Sequence, residues 1–220
     1  MKLILSLTFL WVLGSTEAEL SCLTCVNQQC SNAVSRTCNM GELCVSAASE
    51  VSGLGTNLQQ IIKSCAPSEL CAATGTQAFS VNLGFLSVLA NVSCCDSNNC
   101  NSQNQTFLGA QMNNSLECYS CNSTTDTVCR TKLQCRGVEN RCFNTRVTIS
   151  NNTSSFLGCA SQNACSAADS AGDILAMQTL VNISTATTCC STDLCNSVTT
   201  ISGSIGIIPL LLGLLIFSFY

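Results

Sequence analysis

One frame of ten cysteines occurs twice in this chain, uses all 20 of its cysteines, and limits the fold more than any other feature. The frame opens L-x-C-x-x-C and closes C-C-x4-C-N. The first copy runs Cys22, Cys25, Cys30, Cys38, Cys44, Cys65, Cys71, Cys94, Cys95 and Cys100, then Asn101. The second runs Cys118, Cys121, Cys129, Cys135, Cys142, Cys159, Cys165, Cys189, Cys190 and Cys195, then Asn196. Intervening gaps are 2, 4, 7, 5, 20, 5, 22, 0 and 4 residues in the first copy and 2, 7, 5, 6, 16, 5, 23, 0 and 4 in the second. The ends match and the variable gaps fall where loops lie, which is the mark of a duplicated domain. Frames of roughly 80 residues cannot bury a large core and need covalent staples. With only 9% charged and 5% aromatic residues, the polar surface comes from Ser, Thr, Asn and Gln instead.

The two ends frame this reading. Residues 1–18 carry Lys2, the apolar run Leu3–Leu13 and then small residues, the pattern of a secretory signal. Such a signal delivers the chain to an oxidising compartment, where cysteines are read as bridges. Residues Ile205–Tyr220 are apolar and uncharged. At 1.5 Å per residue they span about 24 Å, short of a hydrocarbon core of about 30 Å. With the spacer Ser197–Ser204 before them, they form a glycolipid-anchor signal, with Ser197 the preferred attachment site and Asn196 the second choice. The alternative is a single membrane helix over Ile201–Tyr220. The expected organisation is a signal peptide over 1–18, a first domain over 19–101, an exposed linker over 102–115, a second domain over 116–197 and a removed anchor signal over 198–220.

Both domains read as mostly β. Phe79, Val81, Leu83 and Phe85 alternate with Ser80, Asn82 and Gly84, the period of a strand. Cys142–Ile149 is rich in β-branched residues, and Asn151–Ser154 supplies a turn back towards Cys159. Asp173–Leu180 suits a strand or a short helical turn equally.

Ten cysteines allow on the order of a thousand pairings, and spacing alone does not choose among them. The frame, with its C-C-x4-C-N ending, resembles the lymphocyte antigen 6/urokinase receptor family (LU, or uPAR-like), over Leu20–Asn101 and again over Leu116–Asn196. That resemblance implies a small disulfide-rich, mostly β fold: two tandem three-finger domains like those of snake toxins. It also implies the pairs Cys22–Cys44, Cys25–Cys30, Cys38–Cys65, Cys71–Cys94 and Cys95–Cys100. In the second domain they are Cys118–Cys142, Cys121–Cys129, Cys135–Cys159, Cys165–Cys189 and Cys190–Cys195. Neighbours such as Cys94 and Cys95 can hardly bridge each other, so they tie the chain to two places. Asn101 and Asn196 close these hubs, where an amide can satisfy backbone groups.

Catalytic chemistry is missing from the sequence. There is no histidine, the commonest general base and metal ligand. With every cysteine assigned to a bridge, no thiolate nucleophile is expected, and C-x-x-C reads as structural rather than as a zinc or redox pair. The scattered carboxylates read as solvated charges. No enzyme, cofactor or metal is expected, and the net charge of −4 gives nucleic-acid binding no support.

Recognition is therefore sought on the surface. Sequons stand at Asn91, Asn104, Asn113, Asn122, Asn151, Asn152 and Asn182. The basic residues Arg130, Lys132, Arg136, Arg141 and Arg146 form a run that is either a solvated face or a site for an acidic partner. Val81 and Leu83 read as packing residues, whereas Leu54, Leu58, Phe85 and Leu86 read as contact residues near loop tips. The resemblance implies a glycolipid-anchored surface glycoprotein that binds an extracellular protein, as a receptor does. An inhibitor of a secreted phospholipase or of complement, and an adhesion or gamete-surface protein, are the alternatives.

Overall fold

A computed structural model describes residues 19–27, 29–53, 55–68, 70–71, 74–123, 126, 128–149, 152–168 and 183–197. The signal and anchor segments, Leu54, Asn151, Asn182 and the 173–180 segment lie outside these residues. In the first domain, β1 (Ser21–Asn27) and β2 (Val34–Thr37) form the first finger. The second is β3 (Glu42–Gly53) with β4 (Thr56–Pro67), and the third is β5 (Gly75–Asn82) with β6 (Leu86–Cys95). In the second domain β7 (Asn113–Ser120) pairs with β8 (Thr131–Arg136), and β9 (Arg141–Ile149) lies between β10 (Asn152–Ala160) and β11 (Ile183–Cys190). A short helix, α1, covers 162–168.

Disulfides take the place of an apolar core. Bridges join Cys22–Cys44, Cys25–Cys30, Cys38–Cys65, Cys71–Cys94 and Cys95–Cys100 in the first domain. Those of the second are Cys118–Cys142, Cys121–Cys129, Cys135–Cys159, Cys165–Cys189 and Cys190–Cys195. Strand register explains the arrangement. Cys65, Cys44 and Cys95 stand abreast across β4, β3 and β6, and Cys159, Cys142 and Cys190 stand abreast across β10, β9 and β11. Each member of a row belongs to a different bridge. Because successive strand residues point to opposite faces, the neighbours Cys94 and Cys95 staple two different layers. Around these rows, Cys22, Cys38 and Cys44 form one buried cluster, and Cys118, Cys135, Cys142 and Cys159 another.

The second domain does not hang on a free linker. The register of β10 against β5 pairs Cys159 with Asn82 and Ala160 with Val81, joining the domains into one nine-stranded sheet of order β11-β9-β10-β5-β6-β3-β4-β1-β2. The connecting segment, largely exposed, is nevertheless tied to the first domain. Ser46 Oγ–H donates to Gln103 O at 2.9 Å, and Asn91 Nδ2–H donates to Thr106 O at 3.1 Å. The Lys63 ammonium donates to Ser102 O. Phe107 packs on Cys30, Ala48 and Ile61. A Gln- and Asn-rich segment thus straps down the first sheet by lending its backbone carbonyls to side chains beneath.

Candidate functional site

Two features decide what surface the fold presents: the hubs at the finger bases and the seam between domains. At each hub one asparagine serves three backbone groups. Asn101 Oδ1 accepts from Leu23 N–H at 3.0 Å, while its Nδ2 donates to Leu23 O at 2.8 Å and Val45 O at 2.9 Å. Asn196 repeats this with Tyr119 N–H and O, both at 2.9 Å, and Phe143 O at 2.8 Å. Both are buried, so each amide satisfies groups that water does not reach. The neighbouring sulfurs Cys22, Cys38 and Cys65, and likewise Cys118, Cys135 and Cys159, come within 4.8 Å of one another. All six are bridged, and a bridged sulfur is not the thiolate that a metal site requires.

At the seam, the third finger of the first domain is pressed into the second domain. Leu83 lies at 3% exposure in a cluster with Phe143, Phe156, Ala160 and Cys165, with Val81, Phe85 and Leu86 packed against it. Phe85 also reaches the cluster of Cys121, Cys129 and Leu157. Phe85 and Leu86, expected as partner contacts, are partly buried and pack against this cluster between the two domains. Gly158 permits the approach, because a Cβ there would stand 2.0 Å from Asn82 O.

A carboxylate is sealed inside this seam. Glu139, alone among the basic residues of its run, is 3% exposed rather than solvated. Ser80 Oγ–H donates to its Oε1 at 2.8 Å, and Arg136 N–H (2.8 Å) and Asn82 Nδ2–H (3.4 Å) donate to its Oε2. Burial holds the Glu139 carboxyl above the ordinary carboxylate value, against those hydrogen bonds and the Arg136 charge, which pull it down. Sequence reasoning passed over this residue, and its one signal was an isolated acid among five bases. Asp126 behaves oppositely: backbone N–H groups of Asn122, Val128 and Cys129 hold its carboxyl below the ordinary value. Burial lowers the Lys63 ammonium.

The basic run is divided. Lys132 and Arg136 share one face of β8, since the buried Cys135 marks the other, and Lys132 lies 3.6 Å from Glu117. Arg130 and Arg146 are exposed. Arg141 is half-buried and donates to Asn140 O and Gln162 Oε1 at 2.8 and 3.0 Å. Leu58, at 42% exposure near the end of the β3–β4 hairpin, keeps an outward face. Of the sequons, Asn104, Asn113 and Asn122 are exposed, and Asn152 begins β10. Asn91 is buried under the strap at 8% exposure with its Nδ2 engaged, so a sugar does not fit without lifting that segment. Ser197 is exposed.

The u-PAR/Ly-6 domain model matches residues 18–103 and again 114–198. The chain belongs to the u-PAR/Ly-6 family. Domains of that family are non-catalytic binding domains, so this chain is a tandem three-finger protein of the secretory pathway and extracellular space. It is similar to the crystal structure of mouse TEX101, at 16% identity and a TM-score of 0.26, over 80% of this chain and 98% of that one. No curated protein sequence matches it.

Proposed function

We propose that this u-PAR/Ly-6 protein is a glycolipid-anchored surface glycoprotein that binds an extracellular protein, as a receptor or co-receptor does. The observation that carries the binding reading is the fusion of two bridged domains into a single sheet. It consumes the third finger of the first domain and leaves the β3–β4 hairpin and the β8 face outward. A body braced in this way presents its contacts with little ordering left to lose on association. The anchor reading rests on the apolar run Ile205–Tyr220 after the small residues from Ser197. Asn104, Asn113 and Asn122 are the sequons best placed to carry glycans. Leu58, Arg130, Lys132, Arg136 and Arg146 are the contact residues that remain.

Expression on a cell surface followed by a phosphatidylinositol-specific phospholipase tests the anchor: the chain is released into the medium, and retention overturns that assignment. The released chain then serves as bait. Leu58→Asp abolishes capture of a partner without affecting secretion, whereas unchanged capture removes Leu58 from the contact surface.

A further inference from the structure

The seam leaves part of a sheet edge open. β10 runs antiparallel to β5 through Cys159↔Asn82 and Ala160↔Val81, and the contact continues one residue further. Ser161 N–H donates to Ser80 O at 2.9 Å, and Ser80 N–H donates to Ser161 Oγ at 3.1 Å. The chain then turns into α1. From there Asn163 Nδ2 reaches back to cap Ala78 O at 2.9 Å. In an antiparallel strand the N–H and C=O of one residue point to the same side, and that side alternates along the chain. Ser80 points both groups away from β6, so Ala78 and Thr76 do the same. The Ala78 N–H and the Thr76 N–H and C=O therefore face outward where β10 has departed, and none of the described residues bonds them.

Ala78 borders a cleft of about 360 Å³ lined by residues of both domains, and Thr76 lies just beyond its rim on the same strand. Leu70 and Gln77–Phe79 contribute from the first domain, and Val138, Asn140 and Gln162 from the second. Its volume falls in the range of natural binding clefts, and domain junctions are where such clefts gather. Its lining has apolar surface in Phe79, Leu70 and Val138 beside neutral amides, with no charged side chain among the described lining residues, and Arg141 donates to the lining residue Gln162. The Ala78 N–H and the Thr76 N–H and C=O, on the edge that β10 pairs further along and beyond the Asn163 cap on Ala78 O, lie beside a mixed apolar and amide wall and match the chemistry of an extended peptide. A bare edge of this kind is otherwise a liability that proteins cover.

We propose that an extended, uncharged peptide segment of a partner protein adds to the β5 edge at Thr76 and Ala78, taking up the line that β10 vacates, with one side chain against Phe79 and Val138. This deepens the protein-binding reading above and rests on it.

The test uses the secreted tandem chain and a phage-displayed library of random linear peptides. Thr76→Pro removes the outward donor while leaving β6 pairing intact, because the Thr76 N–H does not face β6, and Gly75 tolerates a following proline. Val138→Arg, at a residue already 41% exposed, narrows the cleft from its rim. Peptides enriched on the wild type are expected to lose roughly five- to tenfold in affinity for each variant, about the worth of one good contact. They are also expected to lose binding when alternate amides are N-methylated. Secretion and the bridge pattern of both variants are checked by mass spectrometry under non-reducing conditions. Failure to enrich any peptide, equal binding by Thr76→Pro, or selective binding of neutral oligosaccharides on a glycan array each overturns the proposal. A protein partner captured as strongly by Thr76→Pro as by the wild type keeps the binding function and removes this site.

Discussion

At Asn101 and Asn196 a single amide holds three backbone groups, two of them carbonyls facing Nδ2. Aspartate has the same shape but puts oxygen where those carbonyls need a donor. Asn101→Asp is therefore expected to be worse than Asn101→Ala, which leaves buried groups orphaned at about 1–3 kcal/mol each. Secretion yield and thermal midpoint report the order, and Asp tolerated better than Ala would contradict the hub role. Glu139 makes a prediction in pH. Its native carboxyl is raised above the ordinary value, so the folded state binds the proton more readily than the unfolded chain. Its ionisation therefore subtracts stability as pH rises from the ordinary carboxylate range through its raised value, the reverse of the usual buried-pair case. Glu139→Gln keeps an acceptor for Arg136 N–H and Asn82, and the Ser80 hydroxyl can reverse. Chemical denaturation across that window should show the wild type losing stability relative to the variant; parallel curves would mean that Glu139 is solvated.

Among the elements, β10 comes close against β5 at Gly158. Gly158→Ala would place a Cβ against the Asn82 carbonyl and its carbon at 2.9 Å, and backbone cannot turn aside as a side chain can. A cost of about 1–3 kcal/mol is expected for such overpacking, together with a larger radius of gyration in solution scattering. An unchanged radius and midpoint would show that β10 does not lie on β5. This is also where sequence reading reached its limit. The three-finger class was legible because the duplicated cysteine frame with its C-C-x4-C-N ending resembles that of a known family, and Leu83 was legible as packing from strand alternation. The seam was not, because it joins residues about eighty apart, Ser80 with Ser161 and Asn82 with Cys159, through register alone. Phe85 and Leu86 look the same in sequence whether their apolar faces meet a partner or a sister domain. The strap escaped notice for another reason: its polar composition reads as solvated, while the atoms that anchor it are backbone carbonyls, which every residue has.

Taken whole, the molecule is two small domains, each held by five bridges, joined edge to edge through one nine-stranded sheet, with β7 and β8 forming a two-stranded sheet apart from it. Each bridge contributes roughly 2–4 kcal/mol in the loop-entropy picture, without simple addition, so hubs outlast the seam under stress. Mild heating is expected to part the domains before either unfolds. That ordering makes the seam the claim most exposed to test. Amide hydrogen exchange of the native tandem chain, resolved along β5, measures it directly. Slow exchange is expected at Ser80 and Asn82, whose outward N–H groups lie under β10, and at Ser161, with fast exchange at Thr76 and Ala78 on the open edge. Exchange at Ser80 and Ser161 as fast as at Thr76 would mean that the domains do not share a sheet, and would contradict the account.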